Sequence, residues 1–209
     1  MSKDCLVELG LDERIKLFGK CKILRKSDGS GPIVYLFDED HDNLEIKQKN
    51  AENALKLLDN GNVKLIGVES KLGGRNWNEN EEAYDEERYD ESLRMSKSKE
   101  FEEFIIAKHP DKIFGVESIG MFNKIGELIA KGKLDSKKMD DHPINKLRSQ
   151  HFITTLFEWR RKLNKGGNMI LNCGITHNDH IADMIAREEI DNIVGGTATY
   201  VRINAITNE

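Results

Sequence analysis

I33-V-Y-L-F-D-E-D-H-D-N43 sets five apolar residues directly against a polar block of four acids and one histidine. A short apolar run bounded by a turn signal has the pattern of a strand buried on both faces, so Asp38 to Asp42 emerge at its carboxyl end. Asp42 and Glu45 stand at capping-box spacing, and Leu44, Ala51, Leu55 and Leu58 recur at helical intervals. The spacing predicts a helix that begins directly after the block and stops at Asn60-Gly61. His41 then lies at a strand-to-helix crossover, the place where open α/β sheets bind ligands and helix N-termini favour anions. The plainer reading is that these acids cap a helix and keep a sheet edge soluble.

The same pattern recurs along the chain. V63-K-L-I-G-V-E-S70 and D111-K-I-F-G-V-E-S118 are short β-rich runs that repeat G-V-E-S and end in Glu69 and Glu117. N168-M-I-L-N-C-G-I175 reads as a buried strand followed at once by His177, with Thr176 or Asn178 available to cap a helix carrying Ile181, Met184 and Ile185. Helical spacing appears through Phe101, Phe104 and Ile105, through Phe122, Ile125 and Ile129, and over Ile144 to Leu163. Near the start, Leu11, Ile15 and Phe18 predict a small helix before a strand at Cys21 to Leu24, and G195-G-T-A-T-Y-V-R-I-N-A205 predicts a closing strand at the sheet edge. Alternating strands and helices imply an α/β fold with a mostly parallel central sheet flanked by helices.

The length of 209 residues favours a single domain, 1–209. Residues 75–100 are acidic and almost free of aliphatic side chains, and read as an acidic helical insertion, a candidate lid carrying Trp77, Tyr84 and Tyr89. A net charge of −5 with interspersed signs gives no footprint of a nucleic-acid binder. No apolar run approaches a membrane span, and the N-terminus is too polar for a signal peptide. Cys5, Cys21 and Cys173 are odd in number and form no C-x-x-C pair, which points to a reducing compartment, the cytoplasm. Cys173 reads as a buried small hydrophobe.

In a parallel sheet all strand ends share one face, so four strands deliver Glu39 with His41, Glu69, Glu117, and His177 with Asp179 and His180 to one edge. Arg148 borders the apolar face of its helix and reaches the same edge. Glu39, His41, Arg148 and His177 are the candidate catalytic residues, with His41 assisted by Glu39 as the base that activates water and Arg148 steadying an oxyanion. His41, Glu69, Glu117, His177, Asp179 and His180 are candidate ligands for a divalent metal. No nucleophile elbow, Walker loop or dinucleotide fingerprint is present.

These residues also carry a resemblance. F37-D-E-D-H-D-N43 resembles the G-E-x-H-D-N strand end of the ChaN-like haem-uptake proteins, whose superfamily includes erythromycin esterases and the TraB and Tiki proteins. G67-V-E-S70, R148-S-Q-H-F-I-T-T-L156 and N172-C-G-I-T-H177 are similar to its second strand, its arginine-led helix and its late G-x-x-H strand, in the same order. The resemblance implies a pocket lined by Glu39, His41, Glu69, Arg148 and His177. It admits a hydrolase of small-molecule or peptide substrates with an ester, peptide or phosphoester bond, and, as the alternative, a non-enzymatic binder of haem or metal, for which Trp77, Tyr84 and Tyr89 would supply the apolar slot. Asp38 departs from the family's glycine. I175-T-H-N-D-H-I181 also resembles the metal loop of metallo-β-lactamase-like hydrolases, shortened by two residues and lacking one histidine, but it lies late, with 29 residues after His180 where that family needs further ligand strands. An interaction protein keeping only the scaffold is the third possibility.

Overall fold

A computed structural model of the chain describes residues 3–11, 15–29, 31–69, 99–135, 138–163 and 166–205. Six strands form one sheet: β1 Lys20–Arg25, β2 Ile33–Glu39, β3 Val63–Val68, β4 Ile113–Gly115, β5 Asn168–Gly174 and β6 Thr199–Asn204, in the spatial order β1-β6-β2-β5-β3-β4. Only β1 runs antiparallel, against β6, and every other pairing is parallel. The helices are α1 Lys3–Glu8, α2 Leu44–Asp59, α3 Lys99–Ile106, α4 Ile119–Ala130, α5 Pro143–Lys162, α6 Ile175–Ala186 and α7 Ile190–Val194. The expected α/β fold with a mostly parallel sheet is the fold observed.

Alternation along the central strands fills two cores. Tyr35 and Phe37 of β2 pack with α2 and α3 on one face, while Val34 and Leu36 pack with α5, α6 and α7 on the other. Both faces are covered, which is why β2 and β5 are near-continuous apolar runs. Gly67 shows how closely α5 approaches: a Cβ there would stand 2.9 Å from Leu156 Cδ1 and from Val116 Cγ1. Among the described residues no helix is long and apolar enough to cross a membrane.

Several local expectations change. Residues 15–17 are not helical, although Leu11, Ile15 and Leu17 are buried; the N-terminal helix lies earlier, at Lys3–Glu8. Asn43 caps α2, accepting from Ile46 N at 3.2 Å, so Asp42 is not the cap and Leu44 is half exposed. The last strand, β6, is interior, because β1 folds back along it and takes the edge. Strand β5 ends at Gly174, and α6 begins at Ile175 without a side-chain cap, which puts His177 in a first helical turn. Cys5 and Cys21 form a disulfide that ties α1 to β1, so the argument from free thiols to a reducing compartment falls for this pair; Cys173 is buried, as expected. The candidate lid, 75–100, with Trp77, Tyr84 and Tyr89, lies outside the described residues but for its last two positions, which open α3.

Candidate functional site

Strands β2 and β5 are neighbours at the centre of the sheet, yet the helices that follow them leave to opposite faces, α2 to one core and α6 to the other. Their carboxyl ends therefore flank the crevice where an α/β sheet changes direction. β3 and β4 lie beyond β5, so their ends open on the same side. Glu39, His41, Glu69, Glu117 and His177 come together there with Arg148, whereas Asp179 and His180 do not join them.

Glu69 is its centre. One carboxylate oxygen, Oε2, accepts from Gly174 N at 3.0 Å and faces His41 Nε2 at 3.4 Å. The other, Oε1, accepts from Arg148 Nη2 at 3.2 Å and faces His177 Nε2 at 3.4 Å. Gly174 leaves room for this: a Cβ there would stand 3.1 Å from His41 Nε2 and 3.5 Å from Glu69 Oε2. Arg148 also grips Glu117, with Nε donating to Oε1 at 3.2 Å and Nη2 to Oε2, and its Nη1 donates to Asn145 Oδ1 at 2.9 Å. One guanidinium fork thus spans the repeated G-V-E-S ends of two adjacent strands.

On the β2 side His41 Nδ1 donates to Glu39 Oε1 at 2.9 Å, and Glu39 Oε2 accepts from Asn172 Nδ2. Asn50 Nδ2 holds Asn172 in turn, at 3.2 Å from its Oδ1. On the β5 side His177 Nδ1 meets Ser149 Oγ at 2.8 Å, and its ring packs on Phe152 at 4.7 Å between centroids. The His41 side chain is 21% exposed, against 0% for Glu39, 7% for Glu69, 5% for Arg148 and 6% for His177, so a ligand reaches the cluster past His41.

Burial alone would push the His41 imidazole down and the Glu69 carboxyl up, but their mutual pairing reverses both. Glu39 and Glu69 raise His41 to about 9, and His177 and His41 hold Glu69 well below the ordinary carboxylate range. Burial disfavours the Arg148 charge, yet Glu117 and Glu69 more than restore it. At neutral pH these pairings favour the imidazolium of His41, with a proton on each nitrogen and its positive charge held between Glu39 and Glu69.

The remaining predicted ligands stand apart from this centre. Glu117 is committed to Arg148. Asp179 is exposed and pairs with Arg202 at 2.6 Å, the same arginine that doubly binds buried Asp38 at 2.8 Å, so Asp38 serves as a strut between β2 and β6. His180 turns to Ser149, 2.9 Å from its Nδ1, at the rim of a groove of about 330 Å³ lined by Leu147, Gln150, Met184 and Arg187. Among the described residues no group of three or more His, Cys, Asp or Glu side chains is arranged to hold a metal ion. The reason is local: Glu69 is already shared by a guanidinium and a backbone N–H, and the fixed charge of Arg148 on that carboxylate opposes a second cation.

Sequence reasoning missed Ser149, Asn145 and Asn172. Asn145, Arg148 and Ser149 stand at i, i+3 and i+4 on one face of α5, a spacing visible once Arg148 is singled out. Compared with known proteins, the chain matches no protein-family model, no curated protein and no solved structure.

Proposed function

We propose that the chain is a hydrolase whose water is activated and whose leaving group is protonated by the His41, Glu69, His177 cluster, with Arg148 holding the carboxylates in place. The observation that carries this reading is the pair of imidazoles facing the two oxygens of one buried carboxylate, with the environment of one of them raised to about 9. Two imidazoles set on one carboxylate, one hydrogen-bonded to a second carboxylate and the other to a hydroxyl, are suited to acid–base hydrolysis. The resemblance to the erythromycin esterase, ChaN and Tiki superfamily supports the same pocket. Arg148 has four of its five N–H donors on Glu69, Glu117 and Asn145, so its role shifts from oxyanion donor to scaffold, and the imidazolium of His41, the most exposed of the cluster, takes over stabilisation of developing negative charge.

The substrate class is a small molecule or peptide with an ester, peptide or phosphoester bond. Screening chromogenic members of the three classes with the parent, His41→Gln and His177→Gln tests the reading, with metal content and visible absorption measured on the same samples. Hydrolysis lost by at least about a hundredfold in each variant supports it. Equal rates in parent and variants sink it, and a stoichiometric metal or a haem band would move the choice to the binding alternative. The compartment belongs to the proposal too: a cytoplasmic location requires Cys5 and Cys21 to be reduced, whereas their bridge belongs to an oxidising one.

A further inference from the structure

Ser149 Oγ has three polar neighbours, all closer than an ordinary hydrogen-bond limit: Asn145 O at 2.9 Å, His177 Nδ1 at 2.8 Å and His180 Nδ1 at 2.9 Å. A hydroxyl owns one proton, and a backbone carbonyl can only accept. The Asn145 contact is a hydrogen bond only if Ser149 donates to it, the back-bond to i−4 that helical serines commonly make. Both imidazoles must then donate into the two lone pairs of Ser149 Oγ. This is the one assignment that satisfies all three contacts together.

We infer that Ser149 is a positioning residue that fixes the proton of His177 on Nδ1 and so leaves Nε2, at the strand-end crevice, as the base of the hydrolytic reaction. The Nε2 atom stands 3.4 Å from Glu69 Oε1, the same distance as His41 Nε2 from Oε2, and what separates the two rings is the Nδ1 partner, a carboxylate for His41 and the neutral hydroxyl of Ser149 for His177. Phe152 packs on the ring at 4.7 Å between centroids and the His180 ring stands edge-on at 6.4 Å, with its Nδ1 turned to Ser149.

The assignment divides the labour between the two histidines. A water proton passes to His177 Nε2 as the oxygen forms its bond to the substrate carbon or phosphorus. The imidazolium so formed faces anionic Glu69, which stabilises it. His41 Nε2–H delivers its proton to the leaving oxygen or nitrogen as that bond breaks. One proton has been taken and one given, and solvent exchange at the two rings restores the resting state.

The chemistry rests on the hydrolase reading, but the tautomer does not, and the test separates them. Nitrogen-15 spectra of the full chain labelled at its six histidines, with His177 assigned by its loss in His177→Gln, report which ring nitrogen carries the proton. The expected result for the parent is His177 protonated at Nδ1, with Nε2 bearing the lone pair. Ser149→Ala should convert His177 to the Nε2–H form or a mixture, and Ser149→Thr should restore Nδ1–H, while the His41 signals stay in place. A parent protonated at Nε2 alone, or an unchanged tautomer in Ser149→Ala, overturns the inference even if the protein hydrolyses a substrate. Nδ1–H in a protein that hydrolyses nothing upholds the positioning role and removes the reaction.

Discussion

A protonated His41 makes the stability of the protein depend on pH in a defined direction. Its environment raises it from 6.5 to about 9. A group raised on folding contributes stability that is fully present below its unfolded value and is lost as pH rises through the folded one. Two and a half units at about 1.4 kcal/mol each give about 3–4 kcal/mol, of which nearly all disappears between about pH 6.5 and about pH 9. The perturbation is His41→Gln, which keeps a polar side chain of similar reach but cannot titrate. Urea unfolding of both proteins at a series of pH values isolates the histidine and the carboxylates coupled to it, because groups away from His41 titrate alike in the two. The parent-minus-variant difference should shrink by about 3–4 kcal/mol from about pH 6 to about pH 10. A difference that stays flat over that range, with His41 titrating near 6.5 by NMR, refutes the imidazolium and with it the assignment of His41 as the acid.

Arg148→Ala leaves Glu69 and Glu117 buried without their cation and should destabilise by about 3–5 kcal/mol, lowering Tm by roughly 6–20 °C; a loss under about 1 kcal/mol would mean the carboxylates have other compensation. Gly174→Ala has an ordinary backbone conformation for alanine but pushes a methyl against His41 Nε2, so the fold should lose only about 1 kcal/mol while the His41 value falls from about 9 toward 6.5. Should His41 keep its value in that variant, the contact with Glu69 is not what sets it. The denatured, unreduced chain should show one reactive thiol, Cys173, and three after reduction, and Cys5→Ser should cost about 3 kcal/mol for a loop of 16 residues. Three reactive thiols before reduction contradict the bridge.

Much of the site was legible from residues alone. His41, Glu69, Glu117 and His177 each sit where an apolar run meets a polar one, and parallel strands send such junctions to one face. The hydrophobic runs also determined which segments became the central strands, because burial on both faces leaves its mark in consecutive residues. The interior place of β6 is not written locally, since it depends on β1 folding back along a strand about 180 residues away, and the Cys5–Cys21 bridge, though it spans 16 residues, depends on α1 packing beside β1. The roles within the cluster belong to the tertiary structure as well. Whether a histidine is an acid or a base follows from the carboxylates and hydroxyls within about 3 Å of its ring. For His41 those are Glu39 and, slightly farther, Glu69, and for His177 they are Ser149, a helix residue 28 positions earlier, and, at the same longer distance, Glu69. Sequence periodicity determined the elements and the edge they share, whereas the crossovers of the sheet decided which side chains meet there, because ionisation is set by neighbours in space and not along the chain.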